Sequence, residues 1–137
     1  MAVTIDGTTG ITTVGLTASG AVSAAGVSTT TLDATSQQKQ GIVAMAALDV
    51  DCSAGNYFTK TINGASTFTF SNAPSSRAYS FTLELTVTSG LATWPTSVAW
   101  PSGTAPTLST SKTSLLMFVT DDAGTRWRGA SLVDYTT

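Results

Sequence analysis

The ten residues Ala78–Val87, "AYSFTLELTV", alternate without a break. Tyr79, Phe81, Leu83, Leu85 and Val87 take one parity, and Ser80, Thr82, Glu84 and Thr86 take the other. A helix would scatter five such residues around its cylinder, whereas a strand puts them all on one face. This stretch therefore demands a sheet with one buried and one wetted side, and its neighbours must supply both the pairing strands and the cover.

The neighbours read the same way. In "STFTF" (66–70) Phe68 and Phe70 point in and Thr67 and Thr69 point out. In "NYFTKTI" (56–62) Phe58, Lys60 and Ile62 share a face, and the lysine on it marks an edge or rim strand. "SLLMFVT" (114–120) is a continuous apolar run, which predicts a strand covered on both sides. "RWRGASLVDY" (126–135) is the last strand, joined to the previous one by a hairpin turn at "DDAG" (121–124). "NG" at 63–64 predicts a second hairpin, between Ile62 and Phe68. "GIVAMAALDVDC" (41–52) is open between a helical turn and a strand, and the bracketing Gly41 and Gly55 favour the strand. Several short strands with no amphipathic helix predict an all-β domain, a β-sandwich or jelly roll, over residues 41–137. Its expected core includes Phe81, Leu83, Leu85, Phe118 and Trp127.

Residues 1–40 have a different texture. From Thr4 to Leu32 the only charge is Asp6, no residue is aromatic, and glycines fall at 7, 10, 15, 20 and 26. A polar break, "SQQKQ" (36–40), ends this arm. Its few apolar side chains, Ile5, Ile11, Val14, Leu16, Val22 and Val27, cannot build a core of their own. Copies of the same strip are the natural partner, wrapped as three chains about one axis so that strand edges close between chains. The bland alternative is a disordered arm in the free protein.

Only 10% of the 137 residues are charged, and the net charge is −2 with six basic residues. Phosphate recognition needs clustered Lys and Arg, and only Arg126 and Arg128 come close together, so no nucleic-acid partner is expected. No apolar run approaches the ~20 residues that span a bilayer, and the N-terminus lacks the basic and apolar regions of a signal peptide. No membrane partner is expected, and export, if any, would use another route.

The chain holds no histidine, which removes a Ser/His/Asp triad, a Cys/His pair and most zinc sites. Cys52, the single cysteine, has no basic neighbour to activate it and reads as a small buried strand residue. Of the eight carboxylates the closest pairs are Asp49/Asp51 and Asp121/Asp122. Asp49 and Asp51 share one face of a strand and could hold a cation, but the rest of an acidic Ca²⁺ loop is missing. Turn and strand-end roles suit both pairs better. No enzyme activity, cofactor or metal is expected.

"TWPTSVAWPSGTAP" (93–106) places Trp94 and Trp100 each before a proline, in rigid extended segments. They read either as stacking platforms for a glycan or a partner protein, or as side chains packed in the sandwich core or under a loop.

The run "DCSAGNYFTKTINGASTFTFSNAP" (51–74), with "TWPTSVAWPSGTAPTL" (93–108), "FVTDDAGTRWRG" (118–129) and the closing "DYT", resembles a module of bacteriophage virion proteins. That module recurs near the ends of tail-fibre-like proteins and in small virion structural proteins. The matching positions are Gly55, Asn56, Phe58, Phe70, Trp94, Pro95, Trp100, Pro101, Pro106, Gly124 and Trp127. The arm is similar to low-complexity segments of phage fibre shafts. The resemblance implies a non-enzymatic virion structural protein on the exterior of the particle and transfers no catalytic residue. Two functions follow as expectations. One is a homotrimeric capsid decoration (cement or head-fibre) protein that holds the major capsid protein's subunits together. The other is a tail fibre that contacts a host receptor or glycan through Trp94, Trp100 or loop residues. Length and a starting methionine favour the first, since a fibre must also attach to a tail.

Overall fold

The structure is a computed structural model and describes residues 39–136. The arm positions Ile5, Ile11, Val14, Leu16, Val22 and Val27 lie outside the described residues. Among the described residues the ten strands are β1 (Ile42–Ala44), β2 (Asp49–Asp51), β3 (Tyr57–Asn63), β4 (Ser66–Thr67), β5 (Thr69–Ser71), β6 (Tyr79–Ser89), β7 (Ala92–Thr93), β8 (Val98–Ala99), β9 (Lys112–Thr120) and β10 (Trp127–Tyr135). Among the described residues a single 3₁₀ turn, Pro101–Gly103, interrupts them. The domain is all-β, as the alternation requires.

Six strands form one mixed sheet in the order β1-β3-β6-β9-β10-β8. The β6–β9 and β9–β10 pairs are antiparallel, and the β1–β3, β3–β6 and β8–β10 pairs are parallel. Two short parallel pairs, β2–β5 and β4–β7, supply residues that pack on the inner face of this sheet. The alternation of β6 is realised from Phe81 to Val87, with Tyr79 half-buried: Phe81, Leu83, Leu85 and Val87 are buried, and they pair with Phe118, Leu116, Ser114 and Lys112 of β9. Phe58 and Ile62 extend the buried surface to β3, and Trp127 extends it to β10. From the other layer, Phe70 places its ring against Phe81, Phe118 and Trp127 at centroid distances of 5.1, 4.9 and 5.2 Å, each edge-on. Edge-on pairs at this range suit aromatic quadrupoles and add to the burial itself.

The Asp121–Gly124 turn is a true hairpin connection between β9 and β10. The Thr120 hydroxyl donates to Asp122 Oδ1 at 3.0 Å and accepts from Gly124 N at 3.0 Å. Asp122 Oδ1 also accepts from Arg126 N at 2.9 Å. Ala123 and Gly124 both take positive φ, 58° and 81°.

The Asn63–Gly64 turn is not a hairpin, which corrects the expectation from the dipeptide. β3 and β6 run parallel and end together at Asn63 and Ser89. Both chains then leave the main sheet, and β4 and β7 pair in parallel beyond them, Ser66 with Ala92 and Thr67 with Thr93. The two crossings touch at Gly90, whose φ is +85° and where a Cβ would lie 2.1 Å from the Gly64 carbonyl carbon. Asn-Gly specifies a tight reversal of backbone, and here that bend turns the chain between layers.

Three further differences have local causes. The 41–52 segment is two strands, β1 and β2, divided by a bend at Ala46–Leu48. β3 is an interior strand only as far as Thr59, because β1 ends opposite it. Beyond that point β3 is a free edge, and Lys60 turns its ammonium to the carbonyls of Met45 and Ala46 at 2.9 and 2.8 Å. The run Ser114–Thr120 is covered on one face only: Phe118 and Leu116 are fully buried, while Met117 and Val119 remain 41% and 42% exposed among the described residues.

Candidate functional site

Among the described residues the groups with potential chemistry are each held by neighbours. Asp49 and Asp51 do share one face of β2, with Val50 buried between them. Asp49 accepts from the Thr69 hydroxyl at 2.6 Å and the Ser71 hydroxyl at 2.5 Å. Asp51 accepts from Ser53 N, the Ser53 hydroxyl and the Asn72 amide at 3.0, 2.7 and 2.9 Å. The Ser53 hydroxyl, then Asn72 and the Ser53 amide, hold the Asp51 carboxyl below the usual carboxylate range. These bonds tie β2 to β5 and to the turns that follow both strands. Among the described residues no group of three or more His, Cys, Asp or Glu side chains is placed to hold a metal ion.

Asp121 lies 3.3 Å from both Arg126 and Arg128 guanidinium nitrogens, and the Arg128 bond, the strongest influence, lowers its pKa. The basic pair noted in the sequence therefore faces a carboxylate of its own hairpin. All three groups are about half exposed, and ion pairs of this kind contribute little to stability.

Cys52 is 5% exposed, and burial pushes its thiol from 9.0 up to about 11. At neutral pH it is a protonated packing residue. The adjacent Tyr79 hydroxyl donates to the Gly55 carbonyl, and burial raises its pKa as well.

Trp94 and Trp100 come together. Their rings meet edge-on at 5.7 Å. Trp94 stacks on Phe68 at 4.9 Å with an interplanar angle of 16°, and both indoles approach Phe118, at 5.5 and 5.6 Å. Trp100 also covers Gly129, where a Cβ would lie 2.7 Å from the indole ring. Both side chains are half-buried and pack against the core cluster. The proline after each indole holds the backbone extended, and the rings reach inward from the β7–β8 connection for Trp94 and from just after β8 for Trp100.

A different surface stands out once the register is known. The outer face of the main sheet is ordered in cross-strand rows. One row runs Ile42, Tyr57, Thr82, Met117, Ala130, and the next runs Ala44, Thr59, Glu84, Leu115, Leu132. Among the described residues seven large apolar side chains are exposed, and five of them lie on this face: Ile42, Met117, Val119, Leu132 and Tyr135. Two charged side chains belong to it. Glu84 accepts from the Tyr57 hydroxyl at 2.7 Å, which raises the tyrosine's pKa, and Arg128 pairs with Asp121. Sequence reasoning missed this face because Leu115–Val119 has no alternation to read. One signal was present: Trp127 and Leu132 are separated by an odd interval, so a regular strand puts them on opposite faces.

No protein-family model matches the chain, and neither a curated protein nor a solved structure matches it.

Proposed function

We propose that this protein works by binding, as a non-enzymatic structural protein on the exterior of a bacteriophage particle, and specifically as a homotrimeric capsid decoration protein. The resemblance of residues 51–74, 93–108 and 118–129 to a virion module supplies the setting. One observation on the molecule carries the reading: among the described residues the acids and the thiol are committed to turns, strand ties and packing, while a broad sheet face keeps its apolar side chains in solvent. An architecture of that kind offers surfaces for contact. A protein that binds only the assembled head stabilises that head by mass action.

The test uses virions with and without the protein. Virions lacking it should still adsorb to cells and should lose DNA at a lower temperature or a milder osmotic shock. Adding the purified full chain should restore resistance. Restoration should depend only weakly on salt, because apolar and backbone contacts are not screened as charges are. Heads that survive unchanged in particles unable to adsorb would reject decoration and assign the protein to the tail as a receptor-binding fibre. Trp94→Ala and Trp100→Ala would then be the variants to examine for loss of adsorption.

A further inference from the structure

We infer that the open face of the six-stranded sheet is where copies of this chain meet, each packing this face against a neighbouring copy. The inference deepens the homotrimer reading above and rests on it only for the number of chains; the surface is assigned by the geometry.

Three observations lead there. First, the exposed apolar residues are concentrated. Met117, Val119, Leu132 and Tyr135 lie on the adjacent strands β9 and β10, and the strand register alone brings them to one side; Ile42, on β1, shares that face but is separated from them by β3 and β6. Single exposed apolar residues are ordinary on a soluble protein, whereas a contiguous set marks an interaction surface.

Second, the size is right for association. Five strands spaced ~4.8 Å apart, with about seven residues each at ~3.3 Å, present roughly 500 Å² in projection. That is of the same order as the ~800 Å² of accessible surface that each partner buries in a standard stable interface. A sheet face is matched by other sheet faces, whose side chains interdigitate, and three such faces can close about one axis with each meeting both neighbours.

Third, the charge pattern selects the occupant. Glu84 is engaged by Tyr57 and Arg128 by Asp121. A partner recognised by charge would find its counter-ions already used. A copy of the chain brings the same near-neutral surface, with threonines 59, 61, 82 and 86 on the β3 and β6 side and the apolar group concentrated on β9 and β10. Self-association can then bring the β9–β10 side of each copy against its neighbours and leave the hydroxyl-bearing β3–β6 side toward the wetted rim, the usual anatomy of an interface. A symmetric contact repeats each favourable pair in every copy.

The experiment measures the mass of the full chain in solution by light scattering. Met117→Lys and Leu132→Lys each place an ammonium within the apolar β9–β10 part of the face. Leu91→Lys is the control, because Leu91 is 74% exposed and lies between β6 and β7, outside the face. The expected result is an oligomer for the unmodified chain and for Leu91→Lys, and a single-chain mass for the other two, at least a tenfold weakening of association. The near-ultraviolet signal of the buried Trp127 reports whether each variant has folded. If a lysine variant loses that signal, Met117→Gln takes its place, and the mass of that folded variant decides. An unchanged oligomer in Met117→Lys and Leu132→Lys would overturn the assignment while leaving self-association, and the arm as its source, intact. A single-chain mass for the unmodified protein would overturn both the face and the trimer, yet the virion comparison above would still test decoration separately.

Discussion

The two faces of the main sheet are built from the same strands and have opposite characters. On the inner face, side chains of β3, β6, β9 and β10 meet residues of the short strands, and the rings of Phe70, Phe81, Phe118 and Trp127 form one connected cluster. On the outer face, residues one position away along the same strands have no covering layer among the described residues. Met117 and Phe118 are adjacent in sequence, yet one is 41% exposed and the other fully buried. Hydrophobicity alone therefore does not decide burial in this domain. Parity along the strand and the presence of a second layer decide it.

The sharpest way to break that contrast is to truncate the inner face. Phe118→Ala and Phe81→Ala should each lower stability by ~3–5 kcal/mol, the typical effect of removing a buried phenyl ring. Thermal melting should show a large drop for both, and these variants should express poorly.

A smaller loss is expected where the inner face is tight rather than large. Gly129 sits under the Trp100 ring, with a Cβ position 2.7–3.0 Å from three of its carbons. Gly129→Ala should force the indole outward and cost about 1–3 kcal/mol, in the range of overpacking. Denaturant titration measures this directly. Pairing it with Trp100→Ala should relieve part of the loss, because the clashing ring is then absent.

Alkaline pH should loosen the inner layer without any substitution. Cys52 has its thiol raised from 9.0 to about 11, and Tyr79 is also raised, both mainly by burial. Groups whose folded pKa lies above the unfolded value stabilise the native state fully below the unfolded value and lose that contribution as pH rises through the folded one. Melting temperature should therefore be level up to about pH 9 and decline toward pH 11. Cys52→Ala should soften the decline.

The smallest effect is expected on the outer face. Thr82→Ala should change the stability of the folded chain by no more than ~0.5 kcal/mol, as surface substitutions generally do. Equal effects at Phe81 and Thr82 would show that the faces are assigned the wrong way round.

Much of this contrast is legible in the order of residues alone. The alternation in Tyr79–Val87 names the buried side chains of β6 one by one, and Phe68 and Phe70 are correctly directed inward. The β9–β10 turn is legible because Thr120, Asp122 and Gly124 make it from local bonds. The Asn63–Gly64 crossing is not, since a dipeptide encodes a bend and carries no information about which distant strand will pair. The outer face is not legible either. In Leu115–Val119 every position is apolar, so the sequence holds no parity signal there. For Trp94 and Trp100 the sequence leaves core and platform both open, and only the stacking on Phe68 and the ring over Gly129 give them places.

By itself the sequence determined that the domain is all-β, which residues of its alternating strands face inward, and where its local turns lie. These follow from the period of two and from short-range backbone chemistry, both properties of a few consecutive residues. Tertiary structure alone decided the mixed order β1-β3-β6-β9-β10-β8, the paired crossings at Gly64 and Gly90, and the single layer of cover that leaves Met117 and Val119 in solvent. Those features depend on contacts between segments far apart in the chain, where the register of one strand sets the face of the next.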